Sequence, residues 1–144
     1  MAKRSEALQP LSRDHHQALK AAIALKRADV DLDPTSRFLE FWDGEGQHHF
    51  RVEEEVLLPL WAEQGANDHP AVVRVLTDHV DIRRRAMRIR SGRAGVEEMR
   101  ELGQLLDDHV RFEERELFPL IEDTLDENAL EALTAAVLAA EESS

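Results

Sequence analysis

Twelve residues occur twice in this chain. HVRFEERELFPL runs from His109 to Leu120 and HFRVEEEVLLPL from His49 to Leu60; in register, seven of the twelve positions agree. In each copy a His is followed four residues later by a Glu and ten residues later by a Pro. A four-residue step is close to one helical turn, so the His and Glu of each copy share one helix face. Imidazole beside carboxylate on one face is a pair of metal ligands. Two such pairs in one short chain point to a single site built from both.

Apolar residues at helical spacing predict the scaffold. The first helix runs from an N-cap at Ser12 to about Ala28, with His15 inside a stripe of Leu11, Ala18, Ala22 and Leu25. Asp33 and Pro34 read as N-cap and first position of the second helix, which runs to about Gln64 with Gly65 as its stop. Its stripe carries Phe38, Glu45, His49, Glu53, Val56 and Leu60, and Pro59 is expected to bend it or end it early. The third helix opens at Asn67, Asp68 and Pro70 and ends near Ser91 and Gly92; His79 interrupts its apolar face. The fourth runs from near Gly95 to about Thr124 and carries His109 and Glu113. Asp126 caps a shorter fifth helix, ending near Glu141, expected to pack across the outside rather than to serve a site.

Long helices joined by short loops predict an all-α fold, an up-down-up-down four-helix bundle with a short extra C-terminal helix. The bundle spans about residues 11–124 and the extra helix about 126–141, in a single domain of 1–144. Composition agrees: Tyr is absent, Gly and Pro are few, and 42% of residues are apolar. A net charge of -12 argues against nucleic acid and anionic membrane as partners. Without cysteine there are neither disulfides nor thiolate ligands. No apolar run approaches the roughly 20 residues of a membrane span, and MAKRSEALQP lacks a signal-peptide core, so a cytoplasmic location is expected.

Each long helix thus carries one inward His, and the second and fourth add an inward Glu. A lone His on an apolar face is ordinarily a hydrogen-bonded core residue. Four of them, two with matched Glu and Pro, do not arise independently. Buried carboxylates cost several kcal/mol unless paired or coordinated. A set of imidazoles and carboxylates without sulfur suits Fe, Mn or Zn, and six side chains exceed one tetrahedral Zn. They suit two metals, each with two His, bridged by Glu53 and Glu113. An oxo or hydroxo group would offset the remaining positive charge and leave an open position for a small ligand.

The chain resembles the hemerythrin-like HHE cation-binding family from Leu11 to about Thr124. LSRDHH at 11–16, HFRVEEEVLLP at 49–59, LTDH at 76–79 and HVRFEERELFP at 109–119 carry the resemblance. It implies a four-helix bundle with a non-heme di-iron centre. The two Fe ions would be held by His15, His49, Glu53, His79, His109 and Glu113, with Glu53 and Glu113 as bridges. Oxygen-carrying hemerythrins place a further His one turn along the third helix; here those positions are Val75 and Arg83. Without it both irons are expected to be open. The reading then moves from reversible oxygen binding toward hydrogen peroxide as ligand, with catalase-like disproportionation. The alternative is a non-catalytic protein that binds or senses O2 or NO, or stores iron.

Other residues receive smaller roles. Glu45, one turn before His49, is a candidate for an additional ligand or an outer partner. His16 and His48 read as edge or exposed positions, and His69 as structural at a helix start. Glu54 and Glu114 read as surface ion-pair formers, or more sharply as partners of a His N–H. Asp14, Asp78 and Asp108 each precede a site His and read as helix-surface residues, with an acceptor role behind the site as the alternative for one of them. Arg83, Arg84, Arg85, Arg88 and Arg90 read as a solvated face that complements the helix dipole.

Overall fold

The structure is a computed structural model describing residues 4–142, and its regular elements are all helical. α1 (Gln9–Lys26) is followed by a rod of α2 (Thr35–Phe41), α3 (Gln47–Val52) and α4 (Leu58–Trp61). Its pieces are joined by π turns at Trp42–Gly46 and Glu53–Leu57. A further π turn, Ala62–Ala66, ends the rod at Gly65, whose φ of 96° is the left-handed conformation that glycine adopts without strain. α5 (Pro70–Arg90) opens on His69, whose Nδ1 accepts the Ala71 N–H at 3.0 Å. His69 is therefore an N-cap. α6 (Val96–Phe112), a π turn at Glu113–Leu117 and α7 (Phe118–Thr124) form a second long rod. Asp126 Oδ1 accepts the Ala129 N–H at 2.8 Å and caps α8 (Glu127–Glu142).

Four expectations change. Ser12 is not the N-cap of α1, which starts at Gln9. Pro10 sits in the first turn, where its missing N–H costs nothing. Ser12 instead donates its hydroxyl to Glu114 Oε2 at 2.8 Å. Pro59 does not end the rod, because the backbone stays helical from Leu57 (φ -62°, ψ -57°) to Ala62 (φ -61°, ψ -31°). The wide turns before Pro59 and Pro119 make room for the proline ring and tolerate its lost hydrogen bond. α8 does more than cover the outside: it packs on α1, α3 and the Glu53–Leu57 turn, buries Leu133 and Val137, and sets Glu141 against Asp14. Finally, the arginines of α5 are paired rather than merely solvated: Arg84 with Asp81 at 2.7 Å, Arg85 with Glu101 at 3.1 Å, Arg88 with Glu98 at 2.6 Å, and Arg90 with Asp43. Exposed pairs of this kind add little stability.

Two apolar clusters lie either side of a polar layer. Leu8, Leu11, Leu57, Trp61, Val75 and Leu117 belong to one, and Ala22, Leu25, Phe38, Ile82 and Leu106 to the other. The layer follows from the stripes: His15 lies between Leu11 and Ala18, and His79 between Val75 and Ile82. α1 lies along α6 at Gly103, where a Cβ would sit 2.8 Å from the Ala22 carbonyl oxygen. Trp42 and Trp61 are both buried, and Trp61 Nε1 donates to Thr124 Oγ1 at 2.8 Å. Among the described residues no helix is long and apolar enough to cross a membrane.

Candidate metal centre

The polar layer brings together all six residues that the repeat singled out. His15, His49, Glu53 and Glu113 form one group, and Glu53, His79, His109 and Glu113 a second; within each, one atom per residue lies within 4.8 Å of the others. The groups share both carboxylates. One group takes its rings from α1 and α3, the other from α5 and α6. Glu53 and Glu113 are each the first residue of a π turn and are 0% exposed. A π turn widens the helix where a side chain must be aimed, a common device at functional sites.

The oxygens divide between the groups. Glu53 Oε2 lies 3.2 Å from His49 Nε2, and Oε1 lies 3.0 Å from His79 Nε2. Glu113 Oε1 lies 2.8 Å from His15 Nε2, and Oε2 lies 3.2 Å from His109 Nε2. Only the His15 contact is a hydrogen bond. The Nε2 atoms of His49, His79 and His109, both Glu53 oxygens and Glu113 Oε2 are buried with no hydrogen-bond partner. Leaving such groups unpaired is costly. Close approach without hydrogen-bond alignment fits donors that converge on a shared cation.

Four further carboxylates hold the rings from behind. Nδ1 of His15 meets Glu114 at 2.6 Å, Nδ1 of His49 meets Asp14 at 3.0 Å, Nδ1 of His79 meets Glu54 at 2.6 Å, and Nδ1 of His109 meets Asp78 at 2.9 Å. A carboxylate only accepts, so each Nδ1 carries a proton and each Nε2 faces inward, where a metal ion would take the place of any proton on it. Metal-binding histidines are oriented in this way. The outer carboxylates are held in turn: Arg83 reaches Glu54 at 3.1 Å, and Arg4 reaches Glu114 at 3.3 Å. Phe50 stacks on His79, with centroids 3.7 Å apart and planes at 5°.

Charge distribution agrees with this geometry. Burial works against a charged ring, yet the facing carboxylates outweigh it at all four. His109 is raised from 6.5 to about 10, despite burial, by Glu113, Asp78 and Glu53. His49 is raised well above its ordinary value, and His15 and His79 are raised too, through Glu53, Glu54, Glu113, Glu114 and Asp14. Burial would lift the Glu113 carboxyl, but His109, His15 and His49 hold it well below the usual carboxylate range. The two buried carboxylates therefore demand positive charge, which protons or metal ions can supply.

Several residues stand elsewhere than the sequence suggested. Glu45 is exposed and belongs to neither group. His16 and His48 do stand as expected, exposed and half-buried respectively, and neither joins a group. Asp14 and Asp78 are not merely surface residues, since each holds a ring on another helix. Asp108 does stay on the surface, accepting from Gln104 at 2.9 Å. Glu54 and Glu114 take the sharper of their two readings. Arg83, one turn past His79, fixes Glu54. Glu54→Ala is expected to free His79 and lower metal affinity about 10- to 100-fold, read by competition with a chelator.

A family model described as Hemerythrin HHE cation binding domain matches residues 10–121. No curated protein and no solved structure gives a significant match. The family match spans the helices that carry the six-residue cluster, and the chain belongs to the family of hemerythrin HHE cation-binding domains.

Proposed function

We propose that the chain holds two iron ions and uses them on a small oxygen species, hydrogen peroxide first among them, in a catalase-like reaction. The observation that carries the pair is the division of oxygens: each of Glu53 and Glu113 offers one oxygen to each group. His15 and His49 would hold one ion, His79 and His109 the other, and the two carboxylates both. The nitrogen and oxygen donors, without sulfur, suit iron. An oxo or hydroxo group would complete the charge balance. The up-down-up-down course of the bundle belongs to the same reading, supported by short connections and by one ring from each long helical rod.

Bound iron would supply Lewis acidity and electron transfer toward the small molecule. The protein's own residues do the rest. Asp14, Glu54, Asp78 and Glu114 fix the rings, and the flanking apolar clusters exclude bulk water. With Val75 and Arg83 rather than His one turn either side of His79, the donor set would be equal on the two sides, two nitrogens and two carboxylate oxygens for each ion. Both positions stay accessible to a ligand.

One observation favours a second reading, non-catalytic binding or sensing of O2 or NO, or iron storage. Each carboxylate that holds a site ring from behind is already engaged with it, so none of the four is free to act as an acid or base. Oxygen evolution after adding hydrogen peroxide to iron-loaded protein separates the two, with His109→Ala as control. Sustained evolution over many turnovers is expected. A stoichiometric colour change without turnover would sink the catalytic reading and leave the binding one.

A further inference from the structure

A small cavity abuts the centre. It touches His15, His49 and His109, its other walls include Ala18, Phe50 and Val110, and its open volume is about 10 Å³. That is room for about one water-sized molecule. On the outer surface, between α1 and α2, lies a wider depression of about 430 Å³ bordered by Lys20, Arg37 and Glu40. Phe41 and Glu45 border both spaces. A single layer of side chains separates solvent from the centre here.

The wall is built to give way. Phe41 leads directly into the Trp42–Gly46 π turn, which contains Gly44 and Gly46. Glycine and a wide turn both lower local helix stability. Gly46 is required for the arrangement: a Cβ there would lie 2.9 Å from Phe41 Cε2 and 2.8 Å from Trp42 Cε3. The Phe41 ring thus lies across the Gly46 backbone, over the cavity. Phe38 and Trp42 are buried anchors, whereas Phe41 is half-buried and faces the depression. A half-exposed ring changes rotamer on a fast timescale. The depression near Glu54 and Leu76 offers no equivalent route, because it shares no residue with the cavity and the Glu54–His79 hydrogen bond stands behind it.

We propose that Phe41 is the door of an access passage from this depression to the centre, admitting small neutral molecules in preference to hydrated ions. The charge at the mouth, Lys20 and Arg37 against Glu40 and Glu45, nearly cancels and gives no net steering. The throat beyond is mostly apolar, so an ion must shed water to pass. Phe41 is a positioning residue that touches no reacting atom. The proposal rests on the two-ion reading above.

The test is stopped-flow binding of nitric oxide and of azide to iron-loaded protein, with iron content measured on the same samples. A door changes the barrier and not the end states. Phe41→Ala should raise association and dissociation rates of both probes together, by about tenfold, with Kd unchanged. Phe41→Trp should lower both rates, and Phe41→Leu, which keeps the apolar packing, should fall between alanine and the parent. Leu76→Ala, at the other depression, should leave the rates alone. Phe41 variants whose rates stay within about twofold of the parent overturn the passage, as does a change in Kd without a change in association rate, or acceleration by Leu76→Ala instead. Parent protein that binds no iron would overturn the metal reading itself; iron-loaded protein with unmoved rates overturns the passage alone.

Discussion

Glu113→Ala is expected to empty the centre of both ions, whereas His109→Ala should still hold one. Glu113 Oε1 is 2.8 Å from His15 Nε2 and Oε2 is 3.2 Å from His109 Nε2, so one truncation takes a donor from each group. His109 serves one group only, and its loss leaves His15, His49 and an oxygen from each carboxylate intact in the other. Glu113→Gln refines the argument. The amide keeps one acceptor oxygen and turns two N–H donors toward the other group, so it should retain about one ion. Because Glu53 stands in the same relation to both groups, Glu53→Ala should repeat the loss. Iron per chain, measured beside far-UV circular dichroism to confirm folding, reads the series. Folded Glu113→Ala that still carries two irons would overturn the shared-carboxylate geometry.

The six residues of the cluster were legible because a repeat and a helical period coincide in them. Four histidines and two glutamates fall on apolar stripes, and one helix at a time suffices to see that. The residues behind them were not legible in this way. Asp14 and Asp78 lie about 100° round the helix from the adjacent His, where a single-helix argument places them on the surface. Their partners, His49 and His109, are on other helices, and only the assembled bundle brings them together. A signal was nevertheless present. Asp14 recurs as Asp78, and Glu54 as Glu114, in the two halves, while the position of Asp108 is taken by His48 in the earlier copy. The repeating residues hold rings, and the non-repeating one bonds Gln104 on the surface. Glu45 was misplaced for another reason. A four-residue step to His49 assumes an ordinary α-helix, but the Trp42–Gly46 π turn changes the phase just before that His, and Glu45 turns outward. Pro59 announced a disturbance without showing that a wide turn would absorb it.

Stripping the metal should make the fold strongly pH-dependent on the alkaline side, where the metal-loaded chain is insensitive. In the metal-free chain only protons on the rings can answer Glu53 and Glu113, both wholly buried. His109 has a folded pKa of about 10 against an ordinary 6.5, a raised value. The folded state therefore binds more protons than the unfolded state between those limits. The stability this contributes is fully present below about pH 6.5 and is lost as pH rises through about 10. His15, His49 and His79 shift in the same direction and reinforce the slope. Glu113 acts oppositely: its carboxyl is held below the ordinary 4.5, so its contribution is present above that value and lost as pH falls. The metal-free chain should accordingly be most stable in mildly acidic solution, with Tm falling steadily toward alkaline pH. Metal ions take the same Nε2 lone pairs that the protons occupy, so loading should release protons and flatten the alkaline limb. Thermal unfolding of loaded and chelator-treated protein, at about pH 6 and about pH 9.5, measures both limbs. A metal-free Tm that holds steady or rises between those values would mean that the rings are neutral in the folded state. The inward Nε2 atoms and buried carboxylates would then be stable without positive charge, and the physical case for a cation between them would fail.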